Sequence, residues 1–306
     1  MSEPKVTEER EITAKINSAE VIRQWEERAE KARGVRVVAA LGAKTDLGRV
    51  RENNEDKFEF FVPEDEDTLA LKGAFYAVAD GMGGHSAGQI ASELALKTAI
   101  KTYYADSSPM VVESLKAALQ SANALIFDTA RAIIDRQGMG TTMTALVLRG
   151  EEAFIAQVGD SRCYRLRDDK LQQITDDHSW VNEQVKRGAM SREEAEFSPF
   201  KNVITRSLGN APSVEVDVFE QELQRGDVFL LCSDGLTGEV SDDEIRDALR
   251  KSPPSNAAWD LVELALEHGG RDNCTVLIVA VRDIVRPDGR EPQRKRKGIA
   301  GLFGRD

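Results

Sequence analysis

The stretch MTALVLRGEEAFIAQVGD, residues 143–160, decides how this chain folds. It holds two short apolar runs, 143–148 and 153–158, with only RGEE between them, so two strands adjoin with no helix in between. Runs of the same texture recur at 35–41, 58–62, 75–79, 228–232 and 275–281, and each reads as a strand. Helical spacing occupies other stretches. Leu115, Ala118, Leu119, Ala122, Leu125, Ile126, Ala130 and Ile133 share one face over about five turns. Ile90, Leu94, Ala95 and Ala99 do so over a shorter stretch, and segments around Ile245 and Leu261 complete the set. Strands that adjoin in pairs, with helices that also come in pairs, fit packed antiparallel β-sheets flanked by helices better than strict strand–helix alternation. The fold class expected is α+β, sheets inside and helices outside.

Outward from this body the texture changes. Residues 1–34 are rich in Glu, Lys and Arg; Ser18 can cap a short helix with Val21, Ile22, Trp25 and Ala29 on one face, ended by Lys31, Arg33 and Gly34. Such a segment packs on the outside of the body, forms a frayed extension or binds a partner. Residues 284–306 lose periodicity and carry Arg294, Lys295, Arg296 and Lys297 as a block, which reads as a solvated tail or as a contact for an acidic partner or anionic lipid. The chain therefore divides into an N-terminal helical extension (1–34), a body (35–283) and a basic tail (284–306). Within the body, 175–209 is mostly polar with one weak helical segment, the pattern of a functional flap.

Composition removes several function classes. The net charge of −12 lacks the basic footprint that nucleic acid demands. No apolar stretch approaches the roughly 20 residues of a membrane helix, and the start has no signal-peptide pattern, so a cytoplasmic protein is expected. The three cysteines, Cys163, Cys232 and Cys274, each sit in or beside an apolar run and read as reduced core thiols. None has an arginine at the sixth position after it, where Asp169, Gly238 and Ala280 stand, which closes the thiol-phosphatase route. The three histidines, His85, His178 and His268, contain no pair at zinc spacing. There is no GxxxxGK[ST] loop, and Ser86 breaks the dinucleotide glycine pattern that Gly81 and Gly83 begin.

What remains is a set of acids at strand ends. Asp80 ends FYAVAD, Asp160 ends FIAQVGD, Asp234 ends VFLLCSD, Asp272 precedes TVLIVAV, and Asp56, with Glu55 beside it, opens the run at Phe58. One such Asp is ordinary turn chemistry. Several converging would repel unless a cation neutralised them, and hard oxygen donors suit Mg²⁺ or Mn²⁺. Convergence itself is not readable from the sequence.

The motifs VRENNEDKF (50–58), FYAVADGMGGHSAG (75–88), MGTT (139–142), VGDSRCYRL (158–166), ITDDHSW (174–180), LLCSDGLTGEV (230–240) and RDNCTVLIV (271–279), in that order, resemble the metal-dependent type 2C serine/threonine phosphatases, especially bacterial members. The resemblance implies a sandwich of two antiparallel sheets with helix pairs on both faces. It also implies hydrolysis of phosphoserine and phosphothreonine on proteins by a metal-bridged hydroxide at a binuclear Mn²⁺ or Mg²⁺ centre, opposing a serine/threonine kinase, by a monomer. By the same resemblance Asp80 bridges two ions and the Gly81 carbonyl binds the first. Asp234 and Asp272 hold the second, Glu55 and Asp56 lie near the centre, and Asp160 with Asp234 takes a third. Arg51 grips the substrate phosphate, for which a guanidinium fork is suited. Asn273 orients a neighbouring ligand, and 139–142 contributes structure near the sheet end. Met82 stands where many eukaryotic relatives carry a histidine, so the proton for the leaving group comes either from His85 or from a metal-bound water. His178 reads as a loop residue. Two other classes stay open at this level: a catalytically silent module of the same fold, and a hydrolase of nucleotides or small phosphate esters.

Overall fold

The computed structural model describes Arg23, residues 34–83 and residues 87–286. The remainder of the N-terminal extension up to Arg33, the basic block 294–297 and His85 lie outside the described residues.

Two five-stranded sheets stack face to face. The first runs β1 (Arg36–Asp46), β12 (Cys274–Val285), β11 (Val228–Cys232), β8 (Arg162–Arg167), β9 (Lys170–Gln173). The second runs β10 (Asp217–Glu222), β7 (Glu152–Val158), β6 (Met143–Arg149), β3 (Ala74–Ala79), β2 (Lys57–Phe61). Every named pairing is antiparallel, and β6 pairs β7 from Met143↔Val158 to Arg149↔Glu152, the hairpin that the opening stretch predicted. A short ribbon, β4 (Gly81–Met82) with β5 (Gly140–Thr141), hangs from the second sheet's end.

Three apolar layers account for the unbroken apolar runs. Successive side chains of a strand point to opposite faces, so a strand covered on both faces needs no polar alternate. In β3, Tyr76 and Val78 face the inner core with Leu146, Ile155, Phe229, Leu231 and Leu277. Phe75, Ala77 and Ala79 face the other way, onto the helices Ala87–Ala105 and Val111–Ala132. In β11 the same split sends Leu230 and Cys232 outward with Val276 and Ile278, against Asp242–Lys251 and Pro254–Glu267. Each fully buried Phe or Leu in these layers contributes about 1.5–3 kcal/mol. All three cysteines are free and buried in this framework, as expected.

Some local structure differs from the sequence reading. The flap carries two helices, Trp180–Lys186 and Arg192–Glu196, each capped by a serine hydroxyl, Ser179 and Ser191, the latter in a capping box with Glu194. Strands β8, β9 and β10 were not expected: RCYRLR, KLQQ and DVFEQE carry charged or amide side chains at most of their half-exposed and exposed positions. A further helix, Glu66–Lys72, is started by the Asp65 side chain accepting from Thr68 N–H.

Candidate metal centre

Antiparallel register brings the expected acids to one edge. Ala79 of β3 lies opposite Lys57 of β2, Val158 of β7 opposite Met143 of β6, Cys232 of β11 opposite Arg162 of β8, and Asp46 of β1 opposite Cys274 of β12. The C-terminal ends of β3 and β7 therefore lie at the same end of the second sheet as the N-terminal end of β2, and in the first sheet the C-terminal end of β11 lies beside the N-terminal end of β12. Asp80, Asp160 and Asp234 follow β3, β7 and β11, while Asp56 and Asp272 precede β2 and β12. Strand-end placement, read from sequence, becomes convergence through these pairings and through the Ser233–Asp56 bond that joins the ends of the two sheets.

The electrostatics follow from this convergence. Asp56 is almost wholly buried, and its carboxyl is pushed up to about 7, first by burial and against the hydrogen bonds from Ser233 and Thr275, with Asp234 and Asp272 adding repulsion. Asp160 is pushed up to about 8 by burial, then by Asp234 and Asp177. Asp80 is raised well above the usual range by burial and then by Asp56, Asp234 and Asp160; Asp234 is raised by burial and then by Asp272. Glu55 is raised by burial, with Arg51 opposing. Among the described residues, one carboxylate oxygen each of Asp56, Asp160 and Asp234 is buried with no hydrogen-bond partner.

Neighbouring groups fix the positions of these acids. Ser233 Oγ donates to Asp56 Oδ2 (2.6 Å) and accepts from Thr275 N–H (3.0 Å), tying β11, β12 and the start of β2 together. Asn273 donates through Nδ2 to the carbonyls of Leu47 (2.8 Å) and Asn53 (3.0 Å), and its Oδ1 accepts from Glu55 N–H (2.9 Å). Its own N–H donates to Asp272 Oδ1 (2.8 Å). The backbone N–H of Asn273 thus holds Asp272, while its side chain holds the loop that carries Arg51, Glu55 and Asp56. Thr142 and Thr141 grip the Asp80 backbone: Asp80 N–H donates to Thr142 Oγ1 (3.0 Å), and Thr141 Oγ1 donates to Asp80 O (2.7 Å). Thr142 Oγ1 also lies 2.8 Å from Ser161 Oγ, beside Asp160. Ser233 escaped the sequence reading; its place directly before Asp234 was the only signal.

Two glycines let backbone segments crowd against the rim. A Cβ on Gly81 would meet Gly88 O at 2.1 Å and Glu55 O at 2.8 Å, and one on Gly235 would meet Asn273 O at 1.9 Å. Arg51 stands at the mouth with its side chain about half exposed, Nη2 donating to Asp272 Oδ2 at 2.6 Å. His178 lies in a loop, as expected, and is buried there.

These residues fit a divalent cation. Like charges gathered in a desolvated rim leave oxygens unpartnered and hold protons far above their usual range, and a hard cation relieves both conditions. Among the described residues no three His, Cys, Asp or Glu side chains are drawn together closely enough to hold an ion as they stand. An open rim of hard oxygen donors with a guanidinium at its lip, at the end of a helix-covered sandwich, defines a cation-dependent phosphoester hydrolase.

The comparisons agree with that class. The family described as protein phosphatase 2C matches residues 49–272, and the chain belongs to that family. It is 39% identical over 248 residues to the serine/threonine phosphatase stp of Listeria monocytogenes serovar 1/2a, covering 79% of this chain and 96% of the relative. It is 38% identical over 251 residues to the serine/threonine protein phosphatase PstP of Mycobacterium tuberculosis, covering 81% of this chain and 46% of the relative. The crystal structure of M. tuberculosis PstP/Ppp superposes with a TM-score of 0.72 at 38% identity, covering 81% of this chain and all of that one. The catalytic domain of PstP in complex with two manganese ions superposes with a TM-score of 0.70 at 37% identity, covering 81% and 100%.

Proposed function

We propose that this chain hydrolyses phosphoserine and phosphothreonine on proteins at a centre of two Mn²⁺ or Mg²⁺ ions, with room for a third beside Asp160. The observation that carries the reading is the set of buried, unpartnered oxygens on Asp56, Asp160 and Asp234 beside Asp80. Asp80 and the Gly81 carbonyl would hold the first ion, Asp80, Asp234 and Asp272 the second, with Glu55 and Asp56 beside them and Asp160 with Asp234 for the third. When bound, such ions supply an activated water at neutral pH and neutralise charge on the phosphoryl oxygens.

The protein's own groups bind and orient. Arg51 presents a planar fork of donors, of which Nη2 is engaged by Asp272; its remaining N–H groups are suited to two oxygens of an incoming phosphate. Asn273 holds the loop on which Arg51 stands, so phosphate and cation donors share one support. Asp56 is fixed by Ser233 and brings a carboxyl group to the rim without reaching solvent. The leaving Ser or Thr oxygen takes its proton from His85 or from water in the centre.

The same reading gives phosphorylated proteins as substrates, a serine/threonine kinase as the opposing enzyme, a monomer as the working unit and the cytoplasm as its place. It also divides the chain into a phosphatase domain, 35–283, and two extensions outside the catalytic work. No helix among the described residues is long and apolar enough to cross a membrane.

The test is hydrolysis of a phosphothreonine peptide with Mn²⁺, with Mg²⁺ and with EDTA, alongside a nucleotide at matched concentration. Turnover with either cation and none with EDTA is expected. Faster turnover of the nucleotide would overturn the protein-substrate claim, and activity that survives EDTA would overturn the cation centre.

A further inference from the structure

His178 is a buried polar side chain to which the mechanism above gives no task. It stands at the flap's entry, yet its bonds run to three other segments. Gly159 N–H donates to His178 Nδ1 at 3.1 Å, and His178 N–H donates back to Gly159 O at 2.9 Å. Thr205 N–H, on the flap's exit, donates to His178 O at 2.8 Å. Nε2 lies 3.0 Å from Asp217 Oδ2 on β10. Gly159 immediately precedes Asp160, and its φ of +108° is one that side chains rarely adopt.

These contacts determine the tautomer. A backbone N–H can only donate, so Nδ1 must present its lone pair to Gly159, and the neutral ring carries its proton on Nε2, aimed at Asp217. Arg206 Nη1 lies 3.1 Å from that same Nε2, but two donors cannot bond; Arg206 donates instead to Asp217 Oδ1 at 2.9 Å. A protonated imidazole would set a second N–H against that of Gly159. Burial, aided by the Arg206 charge, holds the imidazole pKa below its usual value, while Asp217 pulls the other way.

We propose that His178 is a positioning residue: as the Nε2–H tautomer, fixed by Asp217, it clamps the Gly159 turn to both ends of the flap and so aims Asp160 into the cation rim. The proposal rests on the reading of Asp160 as a donor to the third ion. Outer groups that orient metal ligands typically set about 10–100-fold in metal affinity.

Asparagine and glutamine divide the ring's two functions. His178→Asn places Oδ1 where Nδ1 stood and keeps an acceptor for Gly159 but loses the reach to Asp217, whereas His178→Gln keeps a donor near Asp217 and loses the acceptor. Amide exchange at Gly159, followed by NMR on glycine-labelled protein in EDTA, reads the clamp; calorimetric Mn²⁺ titration without substrate reads the aim. His178→Asn should keep Gly159 protected and the Mn²⁺ isotherm close to wild type. His178→Gln should lose the protection and weaken, by about tenfold or more, only the Mn²⁺ step that Asp160→Ala abolishes. Equal behaviour of the two variants in both measurements would overturn the proposal, as would lost protection with an unchanged isotherm. Should either variant fail to fold, Asp217→Ala removes the acceptor that fixes the tautomer from the half-exposed side and should expose the Gly159 amide; a protected amide there overturns the clamp. A wild-type isotherm with no Asp160-dependent step, combined with the Asn/Gln contrast at Gly159, would overturn the third-ion reading and leave the clamp standing.

Discussion

The sheet-end rim and the flap beside it solve opposite problems with opposite materials. At the rim, charged and polar groups are buried: Asp56, Asp160, Ser233 and Asn273 are sealed among strand ends. In the flap large apolar groups are at the surface: Phe197 is 88% exposed and Phe200 53%, with Trp180 resting edge-on against Phe200. The rim is held rigidly by bonds from several strands, and its burden is electrostatic. The flap is fastened at its neck, where Ser179 bridges Ile204 and Trp180 N–H donates to Val203 O, while its tip packs little. Activity should therefore be sensitive at the rim, and stability insensitive at the flap tip.

The largest effect that would break this contrast is at Asp80. Asp80→Ala should lower Mn²⁺-dependent hydrolysis of a phosphothreonine peptide by at least about a thousandfold. Its melting temperature in EDTA should not fall, because one repelling carboxylate has been removed from the rim. Loss of folding would show the rim to be structural. Next, Arg51→Ala should raise KM about tenfold or more with a smaller change in kcat, as loss of phosphate binding predicts; a collapse of kcat alone would remove Arg51 from the clamp.

The rim's burden also has a pH signature. Asp56 and Asp160 have folded pKa values of about 7 and about 8, above the ordinary 3.8, so the metal-free fold holds these protons more tightly than the unfolded chain does. The stability they contribute is complete below the unfolded value and is lost as pH rises through the folded ones. In EDTA the melting temperature should fall between about pH 5 and about pH 8, and Mn²⁺ should remove that fall. A flat profile in EDTA would mean that the carboxylates do not share one desolvated rim. The smallest effect is expected at the flap tip: Phe197→Ser should change unfolding free energy by no more than about 0.5 kcal/mol in a urea titration.

The same contrast explains what could be read in the sequence. Strands β3, β6, β7, β11 and β12 announced themselves because helices cover one face and the other sheet covers the opposite one, leaving nearly every position apolar. β8, β9 and β10 did not, since Arg162, Arg165, Arg167, Gln172 and Glu220 occupy positions that a two-state apolar pattern scores as loop. The rim's acids were visible as strand-end residues, and the family resemblance gave them roles. What sequence could not supply was register: Ser233 meets Asp56 across 177 residues and Asn273 meets Glu55 across 218. His178 was readable as a loop residue, but its polar neighbours in sequence hid partners brought from Gly159 and Asp217.

The three sealed thiols decide how this molecule meets oxidants. A phosphatase that attacks phosphorus with a thiolate stops when peroxide converts that sulfur to sulfenic acid. Here Cys163, Cys232 and Cys274 are buried within β8, β11 and β12, and burial pushes each thiol pKa well above its usual value, so no sulfur is offered as thiolate. Dephosphorylation by this chain thereby offers no thiolate to the redox signals that silence cysteine-based phosphatases.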